Sequence, residues 1–194
     1  MTYAEDETRG SGRRALPEED SEKILSIFEL HTDLIVKSGN RPPEYGHKIT
    51  ITAGASGLVL DCVIEEGNPG DVSVAVRQLE RQKALFGKAP RAAAFDGAYA
   101  SRENLEQAKA LGVERVAFSR GRGLTPEDMA GSRRTYGRLR RFRAGVEATI
   151  SLLKRSFGLD RCTWKGARGF AAYVWSAVVA ANLTLLARAR LCAG

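Results

Sequence analysis

The residues best suited to chemistry in this chain of 194 residues are crowded into one charged stretch, Arg138 to Arg155. Glu147 stands there as a single carboxylate, with Arg143 four residues before it and Lys154 seven after. At about 100° per residue these three side chains fall within roughly 40° of one another on a helix, with Arg140 just beside them. Phe142, Val146, Ile150, Leu153 and Phe157 recur at spacings of three and four, which predicts an amphipathic helix with Glu147 at the rim of its apolar stripe. A second carboxylate, Asp96, closes the short apolar run Arg91–Phe95 and precedes Gly97. Carboxylates hold cations or move protons, and guanidinium and ammonium groups grip phosphates. A plainer account also fits the spacing: a solvated helix with an i,i+4 Arg–Glu pair, and an Asp-Gly turn.

The elements that must position these groups can be read along the chain. Residues 1–23 are polar and charged with almost no large apolar side chain, so a disordered arm is expected ahead of a domain spanning 24–191. Ile24–Phe28 and Leu34–Val36 are short β-prone runs, and Ser38–Pro43 reads as a turn. His47–Thr52 and Leu58–Ile64 predict a hairpin. Asp71 is placed as the N-cap of a helix through about Leu85, with Val72, Ala75, Val76, Leu79 and Leu85 turned inward. Asp96 then ends a strand, Ser101 caps a helix that stops at Gly112, and Val113–Ser119 is a further strand. Arg120–Arg134, with three glycines and a proline, predicts a mobile basic loop. The Glu147 helix and a helix over Phe170–Ala187 complete the chain. This order predicts an α/β domain with a mixed sheet and flanking helices.

Charge narrows the partner. Between Arg133 and Arg168 eleven Arg or Lys face only Glu147 and Asp160, a local balance of +9 in a chain whose whole net charge is +7. Such a patch suits a polyanion, most simply nucleic acid. Cys62, Cys162 and Cys192 are far apart, which excludes a disulfide framework and a zinc motif and fits a reducing cytoplasm. No basic-then-apolar signal opens the sequence. Phe170–Ala187 is free of charge for eighteen residues, but Ser176, Asn182, Thr184 and many alanines predict a helix buried in protein rather than a membrane span. His31 and His47 lack metal-ligand spacing and receive no role. Trp164 between Arg161 and Lys165 suits either base stacking or an ordinary hinge position.

Four stretches together resemble the DDE transposases of insertion sequences. Arg143-x3-Glu147-x6-Lys154 is similar to that family's Arg–Glu–Lys signature, although the Tyr usually found three residues before the Arg is replaced by Arg140, with Tyr136 one turn earlier. Ala94-Phe95-Asp96-Gly97-Ala98-Tyr99 resembles the segment that holds the second catalytic aspartate. Tyr45–Ile51 with Gly57–Asp61 resembles the hairpin, and Gly67-Asn68-Pro69-Gly70-Asp71 the loop into the first helix.

That resemblance implies an RNase H-like fold, incomplete at its N-terminus, and metal-dependent strand cleavage and transfer on DNA. It makes Asp96 and Glu147 ligands of Mg²⁺ or Mn²⁺, since two divalent ions can activate an attacking oxygen and neutralise a leaving one. Arg140, Arg143, Lys154, Arg155 and Lys165 would then hold DNA phosphates. The family's first aspartate stands in a D-S/T-T segment that this chain lacks. Asp33, just before a strand, is the remaining candidate, and the chain resembles the C-terminal part of a longer transposase. The implied partners are the element's DNA ends, a target and a second copy of the chain. Two other readings fit the residues: a DNA-binding fragment without activity, and another RNase H-like nuclease.

Overall fold

The computed structural model describes residues 31–35 and 44–192. The arm expected at 1–23, the run Ile24–Phe28 and the turn Ser38–Pro43 lie outside them. Strand β1 (Asp33–Ile35) pairs antiparallel with β2 (Glu44–Gly46), and β3 (Ile49–Ala53) with β4 (Val59–Ile64). The third pair, β5 (Ala92–Phe95) and β6 (Arg115–Phe118), is parallel. The helices are α1 (Asp71–Phe86), α2 (Arg102–Ala110), α3 (Pro126–Ala130), α4 (Arg133–Ser156) and α5 (Gly166–Cys192). The α/β expectation holds. Among the described residues, however, the strands form three two-stranded sheets rather than one mixed sheet.

Strand alternation explains how the layers stack. Ile49, Ile51, Cys62 and Ile64 share one face of the β3–β4 hairpin and pack with Leu153 of α4 and Val174, Val178 and Ala181 of α5. The opposite face carries Thr50, Thr52 and Asp61 and meets α1 through polar contacts. In the β5–β6 pair, Ala93, Phe95, Val116 and Phe118 join Leu79 of α1 and Leu105 of α2, whereas Ala94 and Ala117 face Ala130 and Leu139. So α4 crosses one side of both strand pairs, with Leu139 on the parallel pair and Leu153 on the hairpin.

Three expectations are corrected. Helix α1 buries Val74, Ala75, Gln78, Leu79 and Gln82, while Val72 and Leu85 are exposed. The surface beneath it is polar, so Arg77 and Arg81 reach Glu65 and Asp61 instead of an apolar row docking. The segment Arg120–Arg134 is ordered into α3, because Thr125 and Asp128 form a reciprocal capping box, Pro126 opens the helix, and Leu124 and Met129 are buried. Helix α5 is core on one side only, since Trp175, Val179, Leu183 and Leu186 are exposed. It is long and apolar enough to cross a membrane by length and composition. Yet its other face is packed, and Asn182 bonds both the N–H and the C=O of Val59 at 2.9 Å.

Candidate active site

Asp96 leaves the C-terminal end of β5 and caps a 3₁₀ turn, Gly97–Tyr99. Its Oδ1 accepts from the Gly97 N–H at 2.5 Å and from the Ser119 hydroxyl at 2.8 Å. Ser119 follows β6, so both parallel strands hold this oxygen. Gly97 is required here, because a Cβ would meet Arg120 Cβ at 2.7 Å. The other oxygen, Oδ2, stands 3.3 Å from Nη2 of Arg143.

Helix α4 brings the second carboxylate. Ser132 caps its first turn by accepting from the Thr135 N–H, and Tyr136 donates to the Phe118 carbonyl at 2.8 Å, which fastens the helix to β6. The Arg140 guanidinium lies 5.9 Å from the centre of the Tyr136 ring, within cation–π reach, with Arg140 about two turns before Glu147. Arg143 Nη2 donates to Glu147 Oε1 at 2.8 Å. Two oxygens placed 3.3 Å and 2.8 Å from one nitrogen stand no more than about 6 Å apart, a span that one hydrated divalent ion and its ligands can fill. Both carboxylate side chains are more than half exposed, at 55% and 60%, while Arg143 between them is 21% exposed.

The electrostatics follow from this geometry. Partial burial opposes the charge on Asp96, but the Ser119 and Gly97 hydrogen bonds and the Arg143 and Arg120 cations outweigh it, and the carboxyl is held below its ordinary value. Asp96 is therefore an anion at neutral pH. Arg143 is shared between two carboxylates, and Arg120 adds a second cation beside Asp96.

The remaining sequence candidates lie elsewhere. Lys154 and Arg155 occupy the last turn of α4 and are exposed. Lys154 is about 16 Å along the helix axis from Arg143, too far to share one phosphate with it. Lys165 is exposed in the connection to α5 beside Trp164, whose ring meets Tyr173 edge-on at 5.8 Å. Asp33 is not brought to Asp96 and Glu147. It accepts from His47 Nδ1 at 3.2 Å, and His47 Nε2 lies 2.6 Å from His31 Nδ1. Among the described residues no group of three or more His, Cys, Asp or Glu side chains is placed to hold a metal ion.

Sequence reasoning gave Ser119 no part, and it named Tyr136 and the two histidines without the contacts they make. Ser119 and Tyr136 act through contacts with residues 23 and 18 positions away, a separation that no local pattern reports. The histidines are 16 residues apart and meet only because β1 pairs with β2.

The family model described as transposase DDE domain matches residues 36–183. The chain belongs to the DDE transposase family. Among curated proteins and among solved structures nothing matches. Membership sets this transposase domain among proteins that act on DNA, and DDE domains in general work with divalent metal ions. The matched region contains Asp96, Arg143, Glu147 and Lys154 and excludes Asp33.

Proposed function

We propose that this transposase domain, running from 24 to 191, takes part in strand cleavage and transfer during transposition of an insertion sequence. Asp96 and Glu147 would form the acidic part of its phosphoryl-transfer centre. The observation that supports this is the binding of both carboxylates to one nitrogen of Arg143. Hard oxygen donors suit Mg²⁺ or Mn²⁺, and Mg²⁺ accepts one or two carboxylates while keeping its waters. Asp96 Oδ2 and Glu147 Oε1 would hold such an ion, which would supply positive charge at the scissile phosphate. Ser119 and the Gly97 N–H keep Asp96 fixed by its other oxygen. Arg143 is placed to leave the acids for a phosphate oxygen, with Arg140 beside it. Lys154, Arg155 and Lys165 would hold more distant phosphates of the same strand. A cytoplasmic location and a second copy of the chain belong to this reading.

A second reading has its own support. The described residues place no third carboxylate beside Asp96 and Glu147. The chain by itself is then a DNA-binding domain that does not cut, since misplacing a reacting group by about 1 Å can cost 10²-fold in rate. Calorimetric titration with Mn²⁺ should show binding that Asp96→Asn and Glu147→Gln each abolish and Asp33→Asn leaves intact. Equal binding by all three variants would sink the site assignment. Plasmid nicking should be absent, and nicking lost in Asp33→Asn would instead make Asp33 the third carboxylate.

A further inference from the structure

Helix α4 carries a second row of cations that the acidic site does not use. Arg134, Arg138 and Arg141 are exposed and line one concavity of about 270 Å³ together with Thr135. Spaced at i, i+4 and i+7, they fall within about 60° of one another, and Arg143 and Glu147 lie roughly half a turn round the helix from them. The buried Leu139 and Leu153 separate the two flanks. Among the described residues none of the three arginines pairs with a carboxylate, although neighbouring Arg133 does so with Glu127 at 3.5 Å.

The same flank continues as bare helix. Gly145 lies about 20° from Arg134 in projection, and Ala148 about 40° on the other side. Both are exposed, and a Cβ at Gly145 would meet nothing within 4 Å. Packing among the described residues therefore does not require this glycine, which costs a helix interior about 1 kcal/mol relative to alanine. What it provides is room for another backbone to approach. A surface built for solubility would intersperse acids among the bases, but α4 has Glu147 alone against eight arginines and lysines.

We infer that Arg134, Arg138 and Arg141, followed by the bare surface at Gly145 and Ala148, form a second track for a duplex DNA backbone on the flank of α4 away from Asp96 and Glu147. This rests on the DNA reading above and adds a separate DNA segment to it. The three arginines span about 10 Å of helix axis. One DNA strand places a phosphate every 3.4 Å of its own axis, so the row matches about three phosphates. Arginine forks suit phosphate oxygens in a way that lysine does not.

The test measures binding of the full chain to a fluorescent random-sequence duplex between 50 and 200 mM salt. Replacing Arg134, Arg138 and Arg141 together by Ala should lower the slope of log K against log salt by about 2.7, at roughly 0.9 per lost phosphate contact. The triple Lys variant should restore that slope in part, and Mn²⁺ binding should be unchanged in both. If circular dichroism shows the triple Ala variant unfolded, Arg138→Ala alone should lower the slope by about 0.9. A slope unchanged in the folded row variants, but reduced by Arg140→Ala with Arg143→Ala, overturns the second track and leaves the function standing. No effect of either set overturns both.

Discussion

Asp96 shows how one side chain can satisfy two accounts that look like rivals in the sequence. As half of an Asp-Gly pair it is a turn residue, and its Oδ1 does cap the 3₁₀ turn. At the end of a half-buried strand it points onward, and its Oδ2 meets Arg143. The pair was legible as a turn and as a site because a carboxylate has two oxygens, while the Ser119 hydroxyl that orients it was not legible at all. The shift of Asp96 gives a sign. Its carboxyl lies below the ordinary value, so its contribution to stability is complete above the ordinary carboxylate range and is lost only as pH falls through the lowered value. Removing the Ser119 hydroxyl by Ser119→Ala should therefore raise the Asp96 titration midpoint and leave stability flat between pH 6 and 8. Carbon-detected NMR titration of the Asp96 carboxyl checks this, and an unmoved midpoint would show that Ser119 does not set the charge.

At the scale of elements, the helices were easier to find than their buried faces. Ser101 and Gly112 bracketed α2 as read from the sequence, because caps are local. The start of α4 at Arg133, with Ser132 as its cap, and the short α3 were missed within a glycine-rich stretch. The face of α1 was read only in part, with Ala75 and Leu79 buried as expected but Val72 and Leu85 exposed, because hydrophobic periodicity presumes an apolar floor. Here the floor is Asp61, 3% exposed and gripped by Arg81 through two bonds of 2.6 and 3.0 Å, with Arg77 on Glu65 nearby. Removing Arg81 leaves a charge inside the domain. Because the guanidinium itself is 45% exposed, Arg81→Ala should cost about 2 kcal/mol rather than the 3–5 kcal/mol of a fully buried pair. Urea unfolding measures it, and the double change with Asp61→Asn should recover part of the loss. A cost below about 0.5 kcal/mol would mean that the pair is solvated like a surface bridge.

Over the whole molecule, the class of fold was readable from the alternation of periods two and 3.6, but sheet continuity was not. Periodicity shows that a strand exists and which side is apolar. It carries no information about neighbours 40 residues away. Two of the three cysteines report how far this assembly holds together. Cys62 is 2% exposed at the meeting of hairpin, α4 and α5, and burial, with the Asp61 charge beside it, pushes its thiol up to about 11. Cys192, on the last turn of α5, is exposed. A thiol reagent at pH 8 should label Cys192 at once and Cys62 only at the rate of global unfolding. Labelling of Cys62 as fast as Cys192 would show that α5 swings away from the hairpin without unfolding the rest.

Because α4 rests on the parallel strands at Leu139 and on the hairpin at Leu153, it works as a keyed shaft between the two halves of the molecule. Its phase, more than its composition, keeps Glu147 opposite Asp96. One residue inserted between Leu139 and Glu147 would turn everything beyond it by about 100° and advance it by 1.5 Å. With Leu139 seated, Leu153 would leave the hairpin and the two carboxylates would part company. A residue added to the turn between β3 and β4 would disturb neither seat, because a loop carries no phase to lose.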